Sequence, residues 1–209
     1  MKNGLADDSP LNLQSIHFTQ LPNFDPSLIN EQTESTVKRM QNAIETGRLI
    51  RDKTMISMKY PLKTVCLVDA DVQVLKGYEL LEKYIKEELN CLELELKSTE
   101  DDYVVYKAAA DNREMGQAFG KKFDKAAKAA IENLSSDIIR QYLKTDNIEV
   151  NGLNITAGML KISKDFKDEY QKSTKWAVAS SMLSSVMLDT EQTDELKNMG
   201  LSREVTNRI

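Results

Sequence analysis

Histidine is almost missing from this chain: His17 is the single imidazole among 209 residues. A histidine-rich metal site is thereby excluded, and a Ser-His-Asp arrangement would have to recruit His17 itself. That residue lies in the alternating run Ser15-Ile16-His17-Phe18, far from any nucleophile-like turn. Cysteine is nearly as scarce. Cys66 and Cys91 each sit in an apolar run and match neither a disulfide framework nor a metal knuckle, so both read as reduced, buried fillers. No window holds the ~20 apolar residues of a membrane span. Met1 to Asn12 is polar and turn-rich, without the apolar region of a secretory signal, so a soluble, intracellular protein is expected.

Other absences narrow the chemistry. A nucleotide cradle needs closely spaced glycines between a strand and a helix. The segment from Met115 to Lys122 offers Gly116, Gly120, Lys121 and Lys122, but neither that spacing nor Ser/Thr after the lysine. Packing or hinge roles are expected for the two glycines. Helical HxxxH and calcium-loop patterns are missing. The carboxylates Glu93, Glu95, Asp101 and Asp102 form a solvent-like run that does not predict a cleft, and Asp69 and Asp71 read as a chain turn and a helix cap. There is no internal repeat or low-complexity tract.

What is present suffices for a core: 41% of residues are hydrophobic. Asn30 is placed to cap a helix from about Glu31 to Lys53, with Val37, Met40, Ile44 and Gly47 on one stripe; Gly47 predicts a close approach by another element. The rigid loop Leu21 to Pro26 precedes it. Leu62 to Val68 reads as a central strand, Asp71 to Leu89 as one capped helix, and Cys91 to Leu96 as a strand of strict alternation. Together they form a strand, helix, strand unit of the kind that joins parallel strands.

Another strand is expected at Tyr103 to Lys107, a bend or short helix at Asp111 to Gly120, and a basic, alanine-rich helix at Lys121 to Asn133. Ser135 begins a further helix. Asn151-Gly152 supplies the two positive-φ positions of a type I′ hairpin between Ile148 and Ile155. Met159 to Lys172 is charged and ambiguous, and two strand-like pieces follow, Trp176 to Ser180 and Leu183 to Leu188. The fold class is α/β (α+β): a small mixed β-sheet packed with helices and flanked by helices at both ends.

From Glu191, Leu196, Met199, Val205 and Ile209 recur at helical spacing with no terminating Gly, Asn or Pro. The pattern reads as an unfinished helix cut inside a larger protein, whose apolar end invites self-association. Net charge is -5, which repels phosphate at long range, but its sign is uneven. Arg48, Arg51 and Lys53 gather at the end of the first long helix, and Lys121, Lys122, Lys125 and Lys128 form a second cluster. Either is able to position an RNA backbone without reading its sequence, or is simply solvated charge on a packed helix. Tyr60, Tyr103 and Tyr106 are candidates for base stacking or for sheet packing.

The string KRMQNAIETGRLIR from Lys38 to Arg51, followed by ISMKYPLK from Ile56 to Lys63, resembles isoleucyl-tRNA synthetases of the eukaryotic cytosolic type. Leu81 to Asn90, Ile148 to Leu153, Leu188 to Thr190, Glu195 to Lys197 and Gly200 to Ile209 add to the resemblance. It implies residues 1–55 as the end of a helical anticodon-binding domain, 56–190 as a C-terminal α/β junction domain, and 191–209 as the start of a downstream helix. The parent so implied is cytoplasmic and ligates isoleucine to tRNA(Ile) with ATP and magnesium. The HIGH-like and KMSKS-like signatures of that chemistry have no counterpart here, and Lys161 to Lys164 only echoes the latter. The resemblance thus implies an inactive piece without a cofactor of its own. Its partners would be tRNA(Ile) and the other synthetase domains, with no membrane. In one departure, Gly-Lys-Lys stands at Gly120-Lys121-Lys122 and not directly after Met115.

Overall fold

A computed structural model describes residues 25–206 and divides the chain into two compact units, residues 1–34 and 35–209. The expectations at His17, at the start of the Leu21 to Pro26 loop and at Ile209 lie outside the described residues. In the first unit, Pro26–Leu28 forms a 3-10 turn capped by Asp25, which accepts the Ser27 N–H at 2.9 Å. The first turn of α1 (Glu31–Thr54) follows, and Asn30 caps it by accepting the Thr33 N–H at 2.9 Å.

The second unit is a mixed α/β fold built on a four-stranded sheet. Its strands are β1 (Leu62–Val68), β2 (Cys91–Lys97), β7 (Trp176–Ser180) and β8 (Ser185–Asp189), in the order β2-β1-β8-β7. β1 and β2 are parallel, as the strand, helix, strand pattern requires, while β8 runs antiparallel to both β1 and β7. The crossover expected as one helix is two, α2 (Val72–Leu80) and α3 (Glu82–Leu89). At the break, the Leu81 N–H reaches the carbonyls of both Gly77 and Tyr78 at 3.2 Å. That tightening ends the first helix while Tyr78 and Ile85 both enter the core.

The next elements are α4 (Glu100–Tyr103), β3 (Val104–Ala110), α5 (Asn112–Phe119), α6 (Lys125–Glu132) and α7 (Ser136–Thr145). The hairpin of β4 (Asn147–Val150) and β5 (Leu153–Thr156) turns through Asn151 (φ 51°) and Gly152 (φ 73°), as a type I′ turn demands. The ambiguous charged stretch becomes β6 (Leu160–Phe166), antiparallel to β3, and a helical turn, α8 (Asp168–Gln171). The last helix is α9 (Asp194–Thr206).

Three apolar clusters hold these elements. The helical face of the large sheet packs Leu62, Val65 and Leu67 against Ala43 and Ile50 of α1 and Ile85 and Leu89 of α3. A second core joins Met115, Ile131, Ile139 and Tyr142 to the hairpin residues Ile148 and Ile155. Cys66, Val68 and Met187, on the opposite sheet face, meet Val104 and Phe166 in a third. Gly47 serves the close approach its position implied: a Cβ there would stand 2.7 Å from Leu89 Cδ2.

Candidate nucleic-acid interface

The first basic cluster divides by environment. Arg51 follows Ile44 and Gly47 on the inner face of α1 and is 1% exposed. Its guanidinium donates to the carbonyls of Ser57 (3.0 Å), Tyr60 (3.2 Å), Leu89 (2.8 Å) and Asn90 (3.1 Å). Arg51 therefore ties the end of α1 to the connector before β1 and to the end of α3. The surface phosphate contact expected of Arg51 is corrected: the group is enclosed, and burial draws its pKa down from the ordinary arginine value. Arg48 stays at the surface in an ion pair with Glu88 of α3. Lys53 is exposed and lies beside β7.

The same connector receives α9. Gly200 faces the Tyr60 ring so closely that a Cβ would meet Cδ1 at 2.6 Å. Arg203 donates to the Asn90 side-chain oxygen at 2.6 Å, and Lys59 pairs with Glu204 at 3.5 Å. The expected apolar stripe is consequently not a bare one: Leu196 is buried, Met199 is half-buried, and Val205 faces solvent.

The second cluster is arranged differently from the single helix expected over Lys121 to Asn133. Gly120, at φ 52° and ψ -123°, ends α5 in a conformation that favours glycine. Gly120–Lys122 then makes a 3-10 turn, and α6 starts only after Asp124, which accepts the Ala127 N–H at 2.8 Å. Phe119 and Phe123 pack inward beside Ala127 and Ile131. Lys121, Lys122, Lys125 and Lys128 are left exposed, and no ion pair holds any of them among the described residues. A Cβ at Gly116 would meet nothing within 4 Å, so the packing role expected there is absent.

The candidate stacking aromatics are held by the fold. Tyr60 faces Gly200, Tyr103 lies 5.1 Å from the Tyr170 ring, and Tyr106 sits beneath Arg140 at 5.1 Å. Tyr106 also donates to Glu100 at 3.3 Å, and burial pushes its hydroxyl up to about 12. Here lies a group that periodicity concealed: Lys164 of β6 is buried in an ion pair with buried Glu100, which Arg140 approaches at 3.6 Å. Arg140 also pairs with Asp101, and that hydrogen bond lowers the aspartate pKa.

Four further acids are likewise engaged, while Asp102 is exposed. Glu93 accepts the Thr64 hydroxyl, and Glu95 pairs with Lys97. Asp69 accepts the Asp71 N–H (2.9 Å) and Asp71 the Gln73 N–H (2.8 Å), a chain turn followed by a cap. Cys66 and Cys91 are free and buried, their thiols pushed up by desolvation to about 12 and about 11. Among the described residues, no group of three or more His, Cys, Asp or Glu is placed to hold a metal ion, and no helix is long and apolar enough to cross a membrane.

No protein-family model matches the chain. It is 34% identical over 206 residues to the cytoplasmic isoleucine–tRNA ligase of Schizosaccharomyces pombe, across 97% of this chain and 19% of that protein. The cytoplasmic enzyme of Saccharomyces cerevisiae is 36% identical over 198 residues, covering 94% of this chain and 18% of the relative. For that of Mus musculus the identity is 33% over 196 residues, 93% of this chain and 16% of the relative. The chain thus matches nearly end to end, while spanning less than a fifth of the relatives' length.

Proposed function

We propose that this chain is a non-catalytic module of a cytoplasmic isoleucine–tRNA ligase that supports the anticodon arm of tRNA(Ile). The parent would ligate isoleucine to that tRNA with ATP and magnesium, through catalytic parts outside this sequence. Residues 1–55 are assigned to the end of the anticodon-binding domain, 56–190 to a C-terminal junction domain, and 191–209 to a following helix.

The observation that carries the RNA role is the second lysine cluster. Four cations lie within eight residues, all exposed and none engaged in an ion pair among the described residues. Exposed lysines without an ion pair occur elsewhere among the described residues, at Lys38, Lys63, Lys76 and Lys144, but singly, whereas Lys107, Lys161, Lys172 and Lys175 each have a carboxylate partner; the grouping of four is what sets this cluster apart. Clustered, unpaired lysines on a short turn and helix suit phosphate contacts, which fix position and register and leave base identity unread. With Tyr60, Tyr103 and Tyr106 all committed to packing, backbone support is favoured over base stacking.

A purely structural junction is favoured at the other cluster, where Arg51 is enclosed and Arg48 is paired. Only Lys53 remains available there. Hydroxyl-radical footprinting of the complete synthetase on tRNA(Ile) separates the two readings. Phosphate support predicts anticodon-arm protection that fades when Lys121, Lys122, Lys125 and Lys128 are changed together to Gln; protection unaltered by that change would leave the structural junction as the function.

A further inference from the structure

The two edges of the large sheet are built differently. β2 carries Glu93, Glu95 and Lys97, charges of the kind that keep an edge strand solvated. β7, at the other edge, reads Trp176-Ala177-Val178-Ala179-Ser180: five residues without a charge or a proline, all half-buried. Nothing in that sequence guards the strand against pairing.

The orientation of its backbone follows from the hairpin. At one end the Thr190 N–H donates to the Lys175 carbonyl (2.9 Å), and at the other the Ser181 N–H donates to the Ser184 carbonyl (2.8 Å). Facing pairs in an antiparallel ladder alternate between bonded and unbonded. With the register Ala177↔Leu188 and Ala179↔Val186, those two residues turn their amides and carbonyls toward β8. Trp176, Val178 and Ser180 turn theirs outward. The Trp176 N–H is taken by Ser173 Oγ at 3.1 Å, but among the described residues no hydrogen bond reaches the N–H or carbonyl of Val178 or Ser180.

These groups open into a groove of about 480 Å³ between β7, Phe166 and Gln171, with Lys53 and Asp165 on its rim. Asp165 is paired with Lys107 at 3.2 Å, whereas Lys53 has no ion pair among the described residues. We propose that this groove binds an extended peptide of another polypeptide by strand addition to β7, with an acidic side chain of the peptide meeting Lys53. Main-chain bonds to Val178 and Ser180 supply affinity in this mode, and pockets for alternate side chains supply selection. A single extended strand is favoured as occupant because every residue of β7 is already half-buried and Lys53 is the one cation of the groove lining, without an ion pair among the described residues.

The test pans short random peptides displayed on phage against the chain, then titrates the best synthetic peptide by calorimetry and amide hydrogen exchange. The expected winners contain an acidic residue and slow exchange at Val178 and Ser180. Val178→Pro removes an outward N–H, and also fixes φ and constrains Ala177; if the fold is kept it should weaken binding about tenfold, the loss of one backbone hydrogen bond. Lys53→Glu, at an exposed position, should weaken it by a similar factor and serves if the proline variant fails to fold. The proposal is overturned if no selected peptide slows those two amides, or if they are already slow in the free monomer. It is equally overturned if they become slow only as the chain dimerises.

Discussion

Replacing Arg51 with Met keeps much of the side chain's length and removes its five donors. Of the four carbonyls it serves, those of Ser57 and Asn90 retain the N–H groups of Tyr60 (3.1 Å) and Leu62 (2.9 Å). Those of Tyr60 and Leu89 have Arg51 as their only donor among the described residues. A buried polar group left unpaired costs about 1–3 kcal/mol; the Leu89 carbonyl is buried and that of Tyr60 partly so, and together they set the expected loss at roughly 3 kcal/mol. Against a typical total of about 5–15 kcal/mol this is a large fraction, and it corresponds to a melting point lower by about 6–12 °C. Urea and thermal unfolding followed by circular dichroism read it directly. Arg48→Met is the internal control, since both members of its pair are about half exposed and such pairs contribute about 0–1 kcal/mol. Equal stability of the two variants would refute the assignment, above all if Arg51→Met lowered RNA affinity and left the melting curve unchanged.

Other sites test other parts of the account. Lys164→Met should destabilise by about 1.5–3 kcal/mol, because buried Glu100 loses its nearest cation and keeps only Arg140 at 3.6 Å and the Tyr106 hydroxyl at 3.3 Å, and adding Glu100→Gln should recover part of that loss in a double-mutant cycle. Gly47→Ala and Gly116→Ala should differ in sign. The first drives a Cβ against Leu89 at a cost of about 1–3 kcal/mol, and the second adds a methyl in open space on a helix and gains about 0.5–1 kcal/mol, both measurable by urea titration. Neither thiol should react with a disulfide reagent at pH 8 in the native chain, because burial holds Cys66 up to about 12 and Cys91 up to about 11; both should react once the chain is unfolded in guanidinium.

The elements legible in the sequence were those specified by neighbours in the chain. Asn30 caps its own helix, Asn151-Gly152 makes its own turn, and the apolar run from Leu62 marks a strand enclosed on both faces. The break at Leu81 was not legible, because it depends on Tyr78 and Ile85 fitting one distant sheet. β6 stayed ambiguous because Lys164 occupies an inward position in an otherwise alternating strand, and its partner Glu100 lies far away in sequence. Arg51 did carry a signal: it falls on the stripe of Ile44 and Gly47, where an arginine must find hydrogen-bond partners inside. Of the candidate site, composition located both basic clusters, but only tertiary partners distinguished an enclosed arginine from free lysines.

The most direct measurement is the affinity of the chain for tRNA(Ile) over a range of monovalent salt, compared with a variant in which Lys121, Lys122, Lys125 and Lys128 are all Gln. Each phosphate contact contributes about 0.7–0.9 to the slope of log K against log salt, so loss of four contacts should make the slope shallower by about 3 and weaken binding at low salt. The same slope and affinity in both proteins would contradict a phosphate-supporting surface at this cluster.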